Sequence, residues 1–298
     1  MEPYLADRDR TRSVLERHGF FIKKGYGQNF LVDPAVPRGI LEAAQISEED
    51  TVFEIGPGIG TLTQYLGSRA RRVIALELDR KLEPLLAETL APWPNIQLIW
   101  GDVLKQDLPA LFRELAIEGP VKVAANLPYY ITTPILMRLF EHQTLFSGIT
   151  VMVQKEVGER MAAGPGSKDY GALSLSVQYY ADPRLAFEVP PAAFIPQPRV
   201  SSAVVSLTER SRPAPELRDR AWTFSLIRAA FMQRRKMLSN ALTAGAPGIL
   251  KREQVAAALS EMGLDPAIRG ERLSLEQFAE LSNKLWAETH PAPGDRCE

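Results

Sequence analysis

The sequence predicts an α/β fold, in which helices cover a parallel sheet, followed by a smaller all-helical domain. Between residues 51 and 153, short apolar runs rich in β-branched residues alternate with helical segments. This alternation is typical of parallel sheets wrapped by helices. Residues 185–189 and 203–207 can add a terminal pair of strands. The other predicted strands are 51–55, 72–77, 96–100, 121–125 and 149–153, and the predicted helices are 34–45, 61–69, 80–90 and 133–145.

The character of the sequence changes near residue 208, which predicts a domain boundary there. The proline-containing joint Ser211-Arg-Pro-Ala-Pro215 precedes a region of helical pattern. Its predicted helices span 217–243, 251–262 and 274–287, and Ser274 with Gln277 has the spacing of a capping box. The sequence therefore predicts an α/β domain over residues 1–208 and a helical domain over residues 209–298.

The composition is that of an ordinary globular protein. The 298 residues include 35 Lys and Arg against 36 Asp and Glu, so a nucleic-acid site requires local clustering of positive charge. Cys297 is the single cysteine, which excludes an internal disulfide. The N-terminus lacks the apolar core of a signal peptide, and no apolar run approaches the ~18 residues that span a bilayer. We therefore expect a soluble, cytoplasmic protein.

A glycine-rich loop follows the first predicted strand. It reads Glu54-Ile-Gly56-Pro-Gly58-Ile-Gly60-Thr61 and opens a predicted helix. Glycines allow the backbone to approach a ligand closely. A dinucleotide-binding loop has the pattern Gly-x-Gly-x-x-Gly, but Thr61 stands where the third glycine belongs. The loop is therefore poorly matched to a pyrophosphate and better suits a nucleoside that carries a short amino-acid tail.

Carboxylates stand at the ends of the next two predicted strands. Glu77 lies 21 residues after Gly56, and Asp102 follows the third strand. Glu77 can accept both hydroxyls of a ribose, and Asp102 can accept an adenine amine. Alone, such residues are more often surface carboxylates. Together with the glycine loop they predict a site for a nucleoside cofactor.

The fourth predicted strand runs into Asn126-Leu127-Pro128-Tyr129, a motif that suits methylation of the exocyclic amine of adenine. The lone pair of this amine is delocalised into the ring, so two acceptors facing its hydrogens make the nitrogen a better nucleophile. Asn126 offers a side-chain carbonyl, and the Leu127–Pro128 turn fixes a backbone carbonyl. Tyr129 can stack on a flipped base. The reaction then depends on positioning, and we expect no metal and no covalent intermediate.

Motifs along nearly the whole chain resemble those of the KsgA/RsmA family of ribosomal RNA adenine dimethyltransferases, which are relatives of the Erm methyltransferases. The matching segments are 24–31, 54–60, 77–79, 101–103, 126–130, 153–157, 194–203, 231–238 and 269–274. The resemblance implies a Rossmann-like, seven-stranded S-adenosylmethionine methyltransferase domain with a small all-α C-terminal domain. A monomer is the expected state.

The resemblance also implies the substrate and the site residues. The reaction is dimethylation of the N6 amine of two adjacent adenosines in the 3′-terminal hairpin of 16S ribosomal RNA, within the assembling small (30S) subunit. Asn126, Leu127, Pro128 and Tyr129 hold the target base, and Phe194 adds a second aromatic wall. The implied contacts of S-adenosylmethionine are Gln28, Asn29, Leu31, Gly56, Gly58, Glu77, Asp102, Val103 and Asn126.

Two basic clusters are candidates for contact with RNA phosphates. No Asp or Glu occurs from residue 221 to residue 250, and we interpret this region as a basic helix that contacts RNA. The alternative is a solvated helix face. A smaller cluster lies in a glycine-containing loop near the N-terminus. The candidate residues are Arg228, Arg234, Arg235 and Lys236 in the first cluster and Lys23 and Lys24 in the second.

Two other functions remain open at this point. The first is an Erm-type enzyme that methylates 23S ribosomal RNA, although the Asn-Leu-Pro-Tyr motif and the Arg-Arg-Lys-Met-Leu segment favour the small-subunit branch. The second is a ribosome-assembly factor that is mainly non-catalytic, and the intact motif at 126–129 argues against it. A nicotinamide-dependent oxidoreductase is disfavoured by Thr61.

Overall fold

The structure is a computed structural model that describes residues 4–20, 29–246 and 248–290. Contacts divide the chain into two compact units. Unit 1 comprises residues 1–158 and 183–209, and unit 2 comprises residues 159–182 and 210–298. None of the helices in the described ranges combines the length and the apolar character that crossing a bilayer requires.

The strands are β1 (Phe30–Leu31), β2 (Thr51–Ile55), β3 (Arg72–Glu77), β4 (Ile96–Trp100), β5 (Val121–Asn126), β6 (Phe146–Gln154), β7 (Asp182–Val189), β8 (Phe194–Ile195) and β9 (Ser202–Thr208). A seven-stranded sheet in the order β4-β3-β2-β5-β6-β9-β7 forms the centre of unit 1. Strands β2 to β6 are parallel, and β9 runs antiparallel to β6. The short strands β1 and β8 pair separately.

The predicted fold class is confirmed, and its strands form for the reason that the sequence indicates. Val52, Phe53, Val73 and Ile74, on the central strands β2 and β3, are completely buried. Strands covered on both faces by helices read as continuous apolar runs. β7 and β9 lie side by side at one edge, where the terminal pair of strands was predicted.

Helices connect the strands and form most of unit 2. Asp7 caps α1 by accepting hydrogen bonds from the N–H groups of Asp9 and Arg10, and Asp107 caps α5 in the same way. Neither of these short helices was predicted. The helices are α1 (Arg8–Arg17), α2 (Ala35–Ala43), α3 (Thr61–Gly67), α4 (Glu83–Leu90), α5 (Leu108–Glu114), α6 (Thr132–Glu141), α7 (Lys155–Ala162), α8 (Ala172–Tyr180), α9 (Arg220–Met232), α10 (Leu238–Gly245), α11 (Arg252–Glu261) and α12 (Leu275–Thr289).

Unit 2 includes a segment that the predicted boundary at 208 assigns to the first domain. Residues 159–182 belong to unit 2 by their contacts. Tyr170 and Leu175 are buried in one apolar core with residues of α9 to α12, and the Tyr170 hydroxyl donates to the Leu273 carbonyl at 2.9 Å. The break at 209/210 lies close to the predicted boundary, but the helical unit is assembled from two stretches of chain.

The predicted helix 217–243 is wrong in one respect, because the chain leaves the helix between Met232 and Leu238. Contacts distant in sequence stabilise this turn. Arg234 forms an ion pair with Glu271, 2.7 Å from Nε to Oε2, and the Leu238 N–H donates to the Ile268 carbonyl at 2.8 Å. Tertiary hydrogen bonds therefore replace the helical bonds that local propensity favours.

Candidate active site

A cavity opens at the carboxyl ends of the neighbouring strands β4, β3, β2 and β5. Its empty volume is about 1130 Å³, counting the space open to solvent at its mouth. Predicted site residues from all four strand ends therefore share one cavity. Those that line it are Asn29, Leu31, Gly56, Gly58, Glu77, Asp102, Val103, Asn126, Leu127, Pro128 and Tyr129.

Glycines shape the loop between β2 and α3, and Gly56 and Gly60 show two different reasons for this residue type. Gly56 and Gly60 have φ angles of 70° and 91°, which other residues rarely adopt. A Cβ atom on Gly60 would lie 2.8 Å from Cδ2 of the buried Leu90 side chain, which would have to shift to make room. The space beside Gly56 is open. The backbone at Gly56 can therefore approach a ligand closely, whereas Gly60 is needed for packing.

Three backbone N–H groups orient the carboxyl group of Glu77. Its Oε1 accepts from Leu78 and Asp79, each at 2.8 Å, and its Oε2 accepts from Gly58 at 3.1 Å. Burial raises the pKa of Glu77, and these hydrogen bonds act in the opposite direction. A carboxylate has about four lone-pair sites, so the group retains capacity for a ribose hydroxyl.

Asp102 lies at the turn that follows β4. Its Oδ1 accepts the N–H of Leu104 at 3.0 Å, and its Oδ2 lies 3.9 Å from Nζ of Lys105. Both contacts come from the turn itself, and the side chain stays partly exposed to the cavity that it lines. Asp102 can therefore accept a hydrogen bond from the exocyclic amine of a bound adenine.

Glu54 is a cavity residue to which the sequence assigned no role. It is 1% exposed, and its Oε2 has no hydrogen-bond partner among the described residues. Burial raises the pKa of Glu54 to about 8; the negative charge of Glu77 acts in the same direction, and the Thr63 hydroxyl acts in the opposite one. An acidic residue inside an otherwise apolar strand was the signal that could have identified it.

Asn126 is the last residue of β5, and its carboxamide lies next to Asn29, which also lines the cavity. Its Nδ2 donates to the Asn29 carbonyl at 3.4 Å, which leaves Oδ1 as the acceptor for a ligand. The Pro128 carbonyl accepts from the Ile131 N–H at 3.2 Å and from the Thr132 hydroxyl at 3.1 Å. The Pro128 carbonyl is therefore occupied within the turn, and the Leu127 carbonyl is the remaining candidate for the second acceptor that the sequence predicts.

Tyr129 is held in place through its hydroxyl group. The hydroxyl lies 2.6 Å from Oγ of Ser202 on β9. Burial raises the pKa of Tyr129, and the bond to Ser202 acts in the opposite direction. A ring anchored at its far end and lining the cavity offers a fixed face for stacking.

Phe194 does not line the cavity in this structure. It is completely buried, pairs across β1 and β8 with Leu31, and packs in an apolar core with Met152 and Val204. No ring face is presented to a base in this arrangement. A stacking role for Phe194 requires that the side chain turn out of the core, and it stays a prediction.

The basic residues predicted to bind RNA differ in their surroundings. Arg228 is exposed on α9, and Arg235 and Lys236 are exposed in the turn after it, not on a helix as predicted. The Arg234 guanidinium is bound to Glu271 and to the carbonyls of Ser167 and Lys168. Arg234 therefore supports the turn rather than presenting a free cation. Gln28, Lys23 and Lys24 lie outside the described residues.

The cavity has a strongly acidic lining. Glu54, Glu77, Asp79 and Asp102 contribute carboxyl groups, and the described lining contains no Lys, Arg or His. Such a lining favours a positively charged ligand. The adjoining turn at 126–129 presents two carbonyl acceptors and a ring. This combination can hold a cationic nucleoside next to an aromatic base that carries an amine.

Comparison with known proteins identifies the family of this chain. The family model "Ribosomal RNA adenine dimethylase" matches residues 19–286. Ribosomal RNA small subunit methyltransferase A of Lachnoclostridium phytofermentans is 50% identical over 281 residues, which are 94% of this chain and 97% of the relative. The protein of the same name from Bacillus mycoides is 48% identical over 283 residues, with the same coverage.

Solved structures agree with the fold. A dimethyladenosine transferase from Plasmodium falciparum superposes with a TM-score of 0.69 at 24% identity, covering 85% of this chain and 95% of that one. The 23S rRNA methyltransferase ErmE superposes with a TM-score of 0.65 at 27% identity, covering 86% of this chain and 99% of that one. The resemblance seen in the motifs is thus confirmed, and the chain belongs to the ribosomal RNA adenine dimethylase family.

Proposed function

We propose that this chain, an S-adenosylmethionine-dependent ribosomal RNA adenine dimethyltransferase, acts on two adjacent adenosines in the 3′-terminal hairpin of 16S ribosomal RNA. Its substrate is the assembling small (30S) subunit, so the reaction takes place in the cytoplasm. Relatives named for the small subunit are 48–50% identical to it, whereas ErmE is 27% identical. The proposed enzyme acts as a monomer.

The observation that carries the proposal is the position of the 126–129 turn at the edge of an acidic cavity. The cavity fits S-adenosylmethionine, because the carboxyl groups of Glu77, Asp79 and Asp102 complement a cation. The unpartnered Oε2 of Glu54 adds a buried hydrogen-bonding group to the same lining. The cofactor supplies a methyl group on a positively charged sulfur. Glu77 would accept a hydrogen bond from a ribose hydroxyl of the cofactor, and Asp102 would accept one from its adenine amine.

The 126–129 turn acts on the target base. Oδ1 of Asn126 and the Leu127 carbonyl accept hydrogen bonds from the two N–H groups of the N6 amine. These bonds orient the nitrogen lone pair towards the methyl group. Tyr129 stacks on the flipped ring from a position fixed by Ser202. The methylated nitrogen is cationic and loses its proton readily to water, so this chain contributes alignment of the two reactants.

The proposal is tested by transfer of tritium from labelled S-adenosylmethionine to ribosomal subunits from a strain that lacks this methylation. We expect label on small subunits, recovered as dimethyladenosine after nucleoside analysis. Label on large subunits alone would instead favour an Erm-type enzyme. Transfer to neither subunit would favour a mainly non-catalytic assembly factor.

The exposed cations Arg228, Arg235 and Lys236 are the proposed contacts of unit 2 with RNA phosphates. We expect Arg235→Glu combined with Lys236→Glu to weaken binding to small subunits. Log affinity falls as log salt concentration rises, and each lost phosphate contact reduces the magnitude of this negative slope by about one. A filter-binding titration at several salt concentrations measures this slope, and we expect its magnitude to decrease by about two in the double variant.

A control of equal charge change lies at the other end of the sheet from the cavity. Arg69 and Arg71 are exposed near the start of β3, and Arg69→Glu combined with Arg71→Glu should leave the salt slope as in the wild-type protein. A wild-type slope in the Arg235/Lys236 variant would contradict the assignment. Arg234 is avoided in this test because its loss also removes the contacts to Glu271, Ser167 and Lys168.

A further inference from the structure

Large apolar side chains are exposed at the mouth of the cavity. Tyr130 is 58% exposed and Leu78 is 54% exposed, and both line the cavity. Leu104, next to the cavity residue Val103, is also exposed. Exposed apolar groups that gather at one site indicate a surface that is covered by a ligand during function.

Tyr130 differs from its neighbour Tyr129 in what its ring contacts. Both lie between Pro128 and Ile131, in a turn closed by the 3.2 Å hydrogen bond from the Ile131 N–H to the Pro128 carbonyl. The turn directs Tyr129 inward to Ser202, whereas the Tyr130 ring stays exposed. The Thr132 hydroxyl also bonds the Pro128 carbonyl, so the turn is a fixed support.

An RNA strand that delivers one adenine to the cavity must leave the neighbouring nucleotide at its mouth. In the proposed function, which this inference assumes, that neighbour is the second target adenosine. We propose that Tyr130 stacks on this neighbouring base while the first adenine occupies the cavity, with the exposed Leu78 as part of the same apolar rim. Tyr130 is then a positioning residue that recognises the pair of adenosines.

Stacking on an aromatic side chain tolerates any base, because the contact is made by the ring face. It is strongest for a purine, which has the larger ring system. Removal of the ring is expected to lower kcat/KM for small subunits by about 5- to 150-fold, which corresponds to about 1–3 kcal/mol. Affinity for S-adenosylmethionine alone should stay within about two-fold, since the stacking partner is RNA. Tyr130→Phe keeps the ring and should stay close to wild type.

The sharpest test is a double-mutant cycle between Tyr130 and the neighbouring base. Small subunits are reconstituted with 16S RNA in which uridine replaces one of the two target adenosines, and each position is tested in turn. We expect the replacement to lower kcat/KM for the wild-type protein. The same replacement should have little further effect on Tyr130→Ala. Leu185→Ala, at an exposed position on β7, is the control for loss of an exposed apolar side chain.

The inference would be overturned if the fold-losses in kcat/KM caused by Tyr130→Ala and by the uridine replacement simply multiply in the combination, for both uridine positions. An unchanged kcat/KM in Tyr130→Ala on unmodified subunits would also overturn it. Absence of transfer by the wild-type protein to unmodified subunits would reject the proposed function itself, and this outcome is distinct because it needs no variant.

Discussion

Replacement of Asn126 by alanine is expected to lower the rate constant for methyl transfer by on the order of 10²–10³-fold, the size typical for loss of one aligned hydrogen-bonding group at a reacting centre. The substitution removes Oδ1, the proposed side-chain acceptor for the N6 amine, and also the 3.4 Å bond to the Asn29 carbonyl. Binding of small subunits should change little, because phosphate contacts dominate affinity. A single-turnover experiment at saturating S-adenosylmethionine measures the effect.

Two further variants make this prediction specific. Asn126→Asp keeps an acceptor oxygen at the same position and should retain more activity than Asn126→Ala. Asn95→Ala is the matched control, since Asn95 donates to the carbonyls of Gly67 and Ala70 and does not line the cavity. Wild-type single-turnover rates in Asn126→Ala would show that the amine is oriented by other groups.

Glu54→Gln is expected to remove a large pH dependence of stability. Burial raises the pKa of Glu54 in the folded protein from 4.5 to about 8. Between these two values the folded state binds more protons than the unfolded state, so the free energy of unfolding falls as pH rises, by up to about 1.4 kcal/mol per pH unit. Glutamine stays neutral at all pH values and has no such slope.

Urea unfolding of the protein without cofactor, at intervals from pH 5 to pH 8.5, measures this difference. The wild-type curve should decline with pH relative to that of Glu54→Gln, and the gap should be largest near pH 8. Glu49→Gln, at an exposed carboxylate, controls for the change in net charge. Parallel pH profiles of wild type and Glu54→Gln would mean that Glu54 ionises freely in the folded protein.

Much of the fold follows from local sequence because the central strands are buried on both faces. The run 72–77 agrees in both bounds with β3, and 51–55 agrees with β2. The turn between α9 and α10 was missed, since it depends on the ion pair of Arg234 with Glu271, 37 residues away. Local propensity contains no information about such a partner.

The candidate site was predictable to the extent that its residues stand at strand ends. Glu77, Asp102 and Asn126 follow apolar runs, and parallel strands bring such residues to one edge of the sheet. The burial of Glu54 and the inward position of Phe194 depend on the packing of other elements. The sequence pattern around Glu54 or Phe194 is the same whether the side chain faces a ligand or is enclosed by the core. The pattern therefore does not predict which of the two occurs.

Methylation of two neighbouring adenosines of the small-subunit RNA is the activity that we propose for this chain. It is tested most directly by mass spectrometry of the 3′-terminal fragment of 16S RNA, isolated from unmethylated small subunits after incubation with the protein and S-adenosylmethionine. We expect two methyl groups on each of two adjacent adenosines in the hairpin loop, and none after incubation with Asn126→Ala. An unmodified fragment, or methyl groups confined to other positions, would contradict it.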